Sequence, residues 1–125
     1  MSNLEKLTKV EEEVMHYIWE QGPTTVSDMI EKMEDPKPPH STISSIFRIL
    51  EGKGFLGHKS KGRTFEYFAM VAKDKYTNFS IKKLVSNYFE GSMNKLVSFL
   101  VLDNDITMKE LEEIKKKVKS EDSEK

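Results

Sequence analysis

Ser41, Thr42, Ser44, Ser45 and Arg48 fall within eight residues, and Lys53, His58, Lys59, Lys61 and Arg63 follow within the next fifteen. Hydroxyls on a helix face can donate to or accept from a base edge or a phosphate, and a guanidinium can clamp guanine or a phosphate. Ammonium groups hold phosphates and fix position without reading sequence. Charge is arranged to match. Residues 37–63 carry Lys37, Arg48, Lys53, Lys59, Lys61 and Arg63 against Glu51 alone, whereas residues 1–36 set Lys6, Lys9 and Lys32 against nine acids. The net charge of −1 therefore conceals one cationic segment. A localised patch of this kind is the electrostatic footprint of phosphate binding, or else a solvated face.

Catalytic chemistry finds little support. His16, His40 and His58 are scattered, and Glu12 with His16 lacks the second histidine of a zinc-protease pair. Gly52 and Gly54 are explained by helix termination and a turn, and no glycine-rich phosphate loop follows a strand. Cysteine is absent, which excludes disulfides, thiolate metal sites and thiol redox switches. Trp19 fits a core position. The expectation is a non-enzyme with no catalytic residue, metal or cofactor. The longest apolar run, Phe99 to Leu102, is far below the roughly 18 residues that cross a bilayer, and the N-terminus does not read as a leader. A cytoplasmic, soluble chain is expected.

The elements that must position the cationic segment are legible in the pattern. Thr8 and Glu11 make a capping box for a first helix over about Lys9 to Gln21, with Val10, Val14, Tyr17 and Ile18 at helical spacing. Gly22-Pro23 ends it, and Pro23-Thr24-Thr25 reads as extended. A short second helix runs from about Val26 to Met33, capped by Thr25. Glu34 to Pro39 holds three prolines, so it connects without helix. A third helix spans about Ser41 to Gly52 and buries Ile43, Ile46, Phe47 and Leu50, leaving the hydroxyls and Arg48 outside. Phe55 to Lys59 and Thr64 to Met70 flank Ser60-Lys61-Gly62-Arg63 as a β-hairpin with a basic tip.

From Lys73 the chain is helical to about Phe89. Gly91 breaks it, Ser92 caps a second tail helix to about Leu102, and Thr107 with Glu110 caps a last one through about Lys119. Leu96, Val97, Phe99, Leu100, Val101 and Leu102 cover nearly the whole circumference of one helix, which must then be enclosed. Tyr88, Phe89, Leu111 and Ile114 extend that apolar surface. A symmetric second copy encloses it most economically. The fold expected is mainly α with a small β-hairpin: a winged helix-turn-helix over residues 1–72 and a helical dimerisation domain over 73–125. Such an array places the third helix in the major groove of double-stranded DNA. A winged helix that docks on protein, without specific DNA binding, remains the other reading.

The residues also resemble a known family. Glu13-Val14-Met15-His16-Tyr17-Ile18-Trp19 is similar to the first helix of the penicillinase-repressor group, the BlaI, MecI and CopY repressors. Ser41-Thr42-Ile43 through Arg48, and Leu50-Glu51-Gly52-Lys53-Gly54-Phe55, resemble its recognition helix and the turn into the wing. Phe89-Glu90-Gly91-Ser92, Lys95-Leu96-Val97 and Glu110-Leu111-Glu112-Glu113-Ile114 resemble its dimerisation tail. The resemblance implies a dimeric repressor on a palindromic operator of a resistance or stress operon. It also implies release by metal or by a membrane-bound sensor protease. The metal-responsive members carry C-terminal cysteine pairs, so thiolate copper sensing is excluded here. The protease-regulated members are cut at an Asn–Phe bond in the tail, and the corresponding bond here is Phe99–Leu100.

Overall fold

The computed structural model describes residues 4–103 and 107–123, with side chains through Lys116. Helix α1 spans Lys9–Gln21. Both halves of its capping box form: Glu11 N–H donates to Thr8 Oγ1 at 3.2 Å, and Thr8 N–H to Glu11 Oε1 at 2.9 Å. Gly22 stops the helix at φ 90, and its N–H closes on the Ile18 carbonyl. Val10, expected on the apolar stripe, is half exposed; Val14, Met15 and Ile18 face inward. Helix α2, Val26–Glu31, is capped by Thr25 and ends two residues short of the expected Met33. There the Lys37 ammonium donates to the Glu31 carbonyl at 3.0 Å and the Met33 carbonyl at 2.7 Å, satisfying groups the helix end would otherwise orphan. Helix α3 spans His40–Gly52 and buries Ile43, Phe47 and Leu50.

Strands β1 (Leu56–Lys61) and β2 (Thr64–Ala69) pair antiparallel, Lys61 opposite Thr64 and Leu56 opposite Ala69. The expected four-residue turn is thus a two-residue one, Gly62-Arg63. Gly62 supplies φ +63 at its first position, where a side chain would be strained. The Pro23-Thr24-Thr25 piece joins the hairpin: Thr24 and Tyr67 exchange both backbone hydrogen bonds, at 3.0 and 2.8 Å.

Helix α4 spans Lys73–Tyr88. Its first turns belong to the winged-helix core. Buried Tyr76 lies edge-on to Phe55, accepts from Leu7 N–H at 2.9 Å and donates to Glu12 at 2.8 Å. Trp19 Nε1 donates to the Val71 carbonyl at 2.8 Å, which fits its expected core role. The chain accordingly divides into compact units up to Ser80 and from Ile81, rather than at residue 72. Tyr76 is the physical reason, because its ring and hydroxyl fill and satisfy the core of the first unit.

The second unit holds the end of α4, then α5 (Met93–Asp103) and α6 (Met108–Ser123), the last longer than expected. Ser92 Oγ accepts from Lys95 N–H at 3.2 Å, and Thr107 and Glu110 form both bonds of their box. Phe89 and Phe99 rings sit 5.6 Å apart. Asn104 and Asp105, expected in a loop, lie outside the described residues. Among the described residues no helix is long and apolar enough to cross a membrane.

Candidate nucleic-acid interface

The outer face of α3 is built as its spacing requires. Ser41, Thr42, Ser45 and Arg48 are exposed, while Ser44 is half-buried and accepts from Arg48 Nη2 at 3.3 Å. That bond draws the guanidinium back along the helix toward its N-terminus. The first turn of α3 has no side-chain cap, since Pro39 occupies the capping position. Thr42 N–H closes on the Pro39 carbonyl at 3.1 Å, so an anion at this end would meet the N–H groups of His40 and Ser41.

An open groove runs between α3 and the hairpin, with His40, Ser44, Arg48, His58, Arg63 and Phe65 in its lining. The strand period of two decides which hairpin residues reach it. His58 stands opposite Tyr67 and Ser60 opposite Phe65 on the face toward α3, where Tyr67 meets Phe47 edge-on at 4.9 Å. Lys59 and Lys61 stand on the other face. Both reach Glu66, at 3.5 and 3.3 Å, and both stay largely exposed. The expected wing cations are therefore divided: Arg63 at the turn shares the groove with Arg48, and the two lysines flank it from outside.

Two expected phosphate ligands are already engaged. His58 Nδ1 sits 2.6 Å from Glu51 Oε2, so the one acid of the cationic segment is answered across the groove. Lys53 is turned inward. Its ammonium lies 2.8 Å from Glu11 Oε1, with side-chain exposures of 22% and 8% for Lys53 and Glu11. Burial pushes the Glu11 carboxyl up, but Lys53 and the Thr8 donors outweigh it and hold the group below the ordinary carboxylate range. Lys53 thus ties the end of α3 to the start of α1. Burial, with the charge of Glu51, also raises the Tyr67 hydroxyl; Arg48 opposes the shift.

Comparison with known proteins gives this geometry its context. The penicillinase repressor family profile matches residues 7–120. The chain belongs to the penicillinase repressor family. This family member is 26% identical over 111 residues to the methicillin resistance regulatory protein MecI of Staphylococcus aureus strain N315, covering 88% of this chain and 90% of MecI. It is 21% identical over 116 residues to the penicillinase repressor of Bacillus licheniformis, covering 91% and 90%. The solution structure of the DNA-binding domain of the repressor BlaI aligns with a TM-score of 0.52 at 26% identity. That alignment covers 61% of this chain and 94% of the BlaI domain. The fold is a winged helix-turn-helix followed by a helical C-terminal region, as the residue pattern predicts.

In this repressor-family chain one outward residue of α3 was absent from the sequence expectation. Ile49 is 48% exposed on the face that carries Thr42 and Ser45. Its spacing was the available signal, since it falls off the stripe of Ile43, Ile46, Phe47 and Leu50. In the second unit, the Phe99–Leu100 bond lies inside α5, and Phe99 is exposed while Leu100 is half-buried.

Proposed function

We propose that this chain is a sequence-specific DNA-binding transcriptional repressor that occupies a palindromic operator as a homodimer. The observation that carries the proposal is the outer face of α3. It presents small hydroxyls and Arg48, with its one acid, Glu51, held by His58, beside a groove shared with Arg63. Short side chains let the helix backbone approach the major groove closely, where Ser41, Thr42, Ser45 and Arg48 reach base edges. Arg63, with Lys59 and Lys61 outside it, meets flanking phosphates, and the uncapped start of α3 receives another.

The dimer rests on the tail. Helix α5 buries no residue, and it leaves Val97, Phe99 and Leu102 exposed, with Tyr88 and Ile114 exposed on the neighbouring helices. Apolar surface of that extent marks an interface, and a two-fold partner presents the same patch in return. Two recognition helices then meet half-sites one helical turn or more apart, which makes the operator palindromic. Release by a membrane-bound sensor protease would act on the tail near Phe99–Leu100 and split the dimer. Because that bond sits within a helix, cutting requires α5 to open locally. An uncut tail in induced cells overturns this part.

Fluorescence anisotropy on the region upstream of the gene and on a scrambled duplex, at two salt concentrations, tests the whole. Affinity should fall steeply with salt on both, and the upstream duplex should be preferred about a thousandfold. Weak, equal binding to every promoter duplex tried favours a winged helix that docks on protein.

A further inference from the structure

We propose that Ile49 is a specificity-determining residue that reads the methyl group of a thymine. The inference rests on the operator-binding function proposed above. Ile49 stands at 48% exposure in the last full turn of α3, where the inward positions Phe47 and Leu50 are wholly buried. It continues the row of Thr42 and Ser45, at spacings of seven and four residues, which places the three on one strip of the helix. Arg48 and Ser44 turn to the wing side of that face and line the groove; Ile49 is on the flank away from the wing.

The strip has a consistent chemistry. Hydroxyls at Thr42 and Ser45 can serve any base edge, but a branched aliphatic group satisfies none of the polar sites in the major groove. The one apolar group displayed there is the thymine C5 methyl. Ile49 is also the bulkiest side chain on the strip, so a helix seated closely enough for Ser45 to reach a base presses Ile49 against the groove floor. A single exposed isoleucine is commonplace on protein surfaces. What distinguishes this one is its place among short hydroxyls, on the face where α3 approaches DNA.

The test uses the full-length protein and the duplex it prefers, with each thymine replaced singly by deoxyuridine, which removes the methyl and nothing else. Wild-type protein should lose about fourfold in affinity at one thymine per half-site, the equivalent of about 0.8 kcal/mol for one buried methyl. Ile49→Ala should be insensitive to that same replacement, and Ile49→Val should keep most of the sensitivity. Thermal denaturation of both variants should match wild type, because the side chain is outside the core. If uridine scanning affects wild type and Ile49→Ala alike while the duplex is still preferred, the inference is overturned and the repressor function stands. If no duplex is preferred over scrambled sequence, both fail together.

Discussion

Lys53 separates two accounts of the cationic segment, and its substitution by methionine decides between them. As a phosphate ligand, Lys53 would contribute to DNA affinity and little to folding. As the partner of Glu11, it contributes to folding. The pair is 2.8 Å long, and its carboxylate retains only 8% exposure. Removing one partner of a buried pair costs about 3–5 kcal/mol, and a hydrogen bond to a charged group is worth about 1.5–3 kcal/mol. Lys53 keeps some contact with water, so Lys53→Met should cost about 2 kcal/mol, or on the order of 10 °C in the melting temperature of a unit this size. Glu11→Gln keeps the capping-box geometry and removes the charge, and should cost about as much. The pH dependence follows from the lowered Glu11 carboxyl. A depressed pKa stabilises the fold above the unfolded value of about 4.3, and the contribution fades as pH falls through the lower folded value. Melting curves of wild type and Glu11→Gln should therefore differ at neutral pH and converge below about pH 4. Salt titrations of DNA binding for Lys53→Met should keep the wild-type slope. A Lys53→Met protein with unchanged melting temperature and a slope reduced by about one would refute the reasoning.

Arg48→Ala should weaken binding to the preferred duplex by about 1–3 kcal/mol and scarcely affect scrambled DNA. Arg63→Ala should weaken both equally and lower the salt slope by about one, as read by anisotropy at several salt concentrations. Tyr76→Phe leaves the Leu7 N–H without its acceptor and Glu12 without a donor, so denaturant titration should show a loss of about 1–3 kcal/mol. A fragment ending at residue 72 should melt well below one ending at Ser80 for the same reason. Leu102→Glu, at a position 78% exposed, should leave the melting of the first unit intact. In sedimentation it should raise the dissociation constant of the proposed dimer by about tenfold or more, since each copy would bring a charge to the face they share.

Local signals carried most of the helix and hairpin order. Thr8 with Glu11, Thr25 with Asp28, and Thr107 with Glu110 announce helix starts through bonds made within four residues, and all three form. Ile43, Phe47 and Leu50 mark the inner face of α3 by period alone. What the pattern could not convey was partnership over distance. Lys53 reads as one more cation of a basic segment until Glu11 is found beside it, 42 positions away in the chain. Tyr76 reads as the first apolar residue of a tail until its hydroxyl is found between Leu7 and Glu12. The split between His58 and Lys59 was recoverable from strand alternation, given the register, and the register depended on Gly62 making the turn two residues long. The second unit was legible from its apolar excess rather than from packing, because the helices leave Leu102 and Tyr88 in the open.

The central claim is that α3 lies in the major groove of its own promoter. Methylation protection tests it directly, because dimethyl sulfate attacks guanine N7 on the floor of that groove. Bound wild-type protein should shield guanines in two symmetric half-sites about one helical turn or more apart, and Arg48→Ala should lose the shielding of one guanine in each. Uniform reactivity across a duplex that the protein demonstrably occupies would contradict the account.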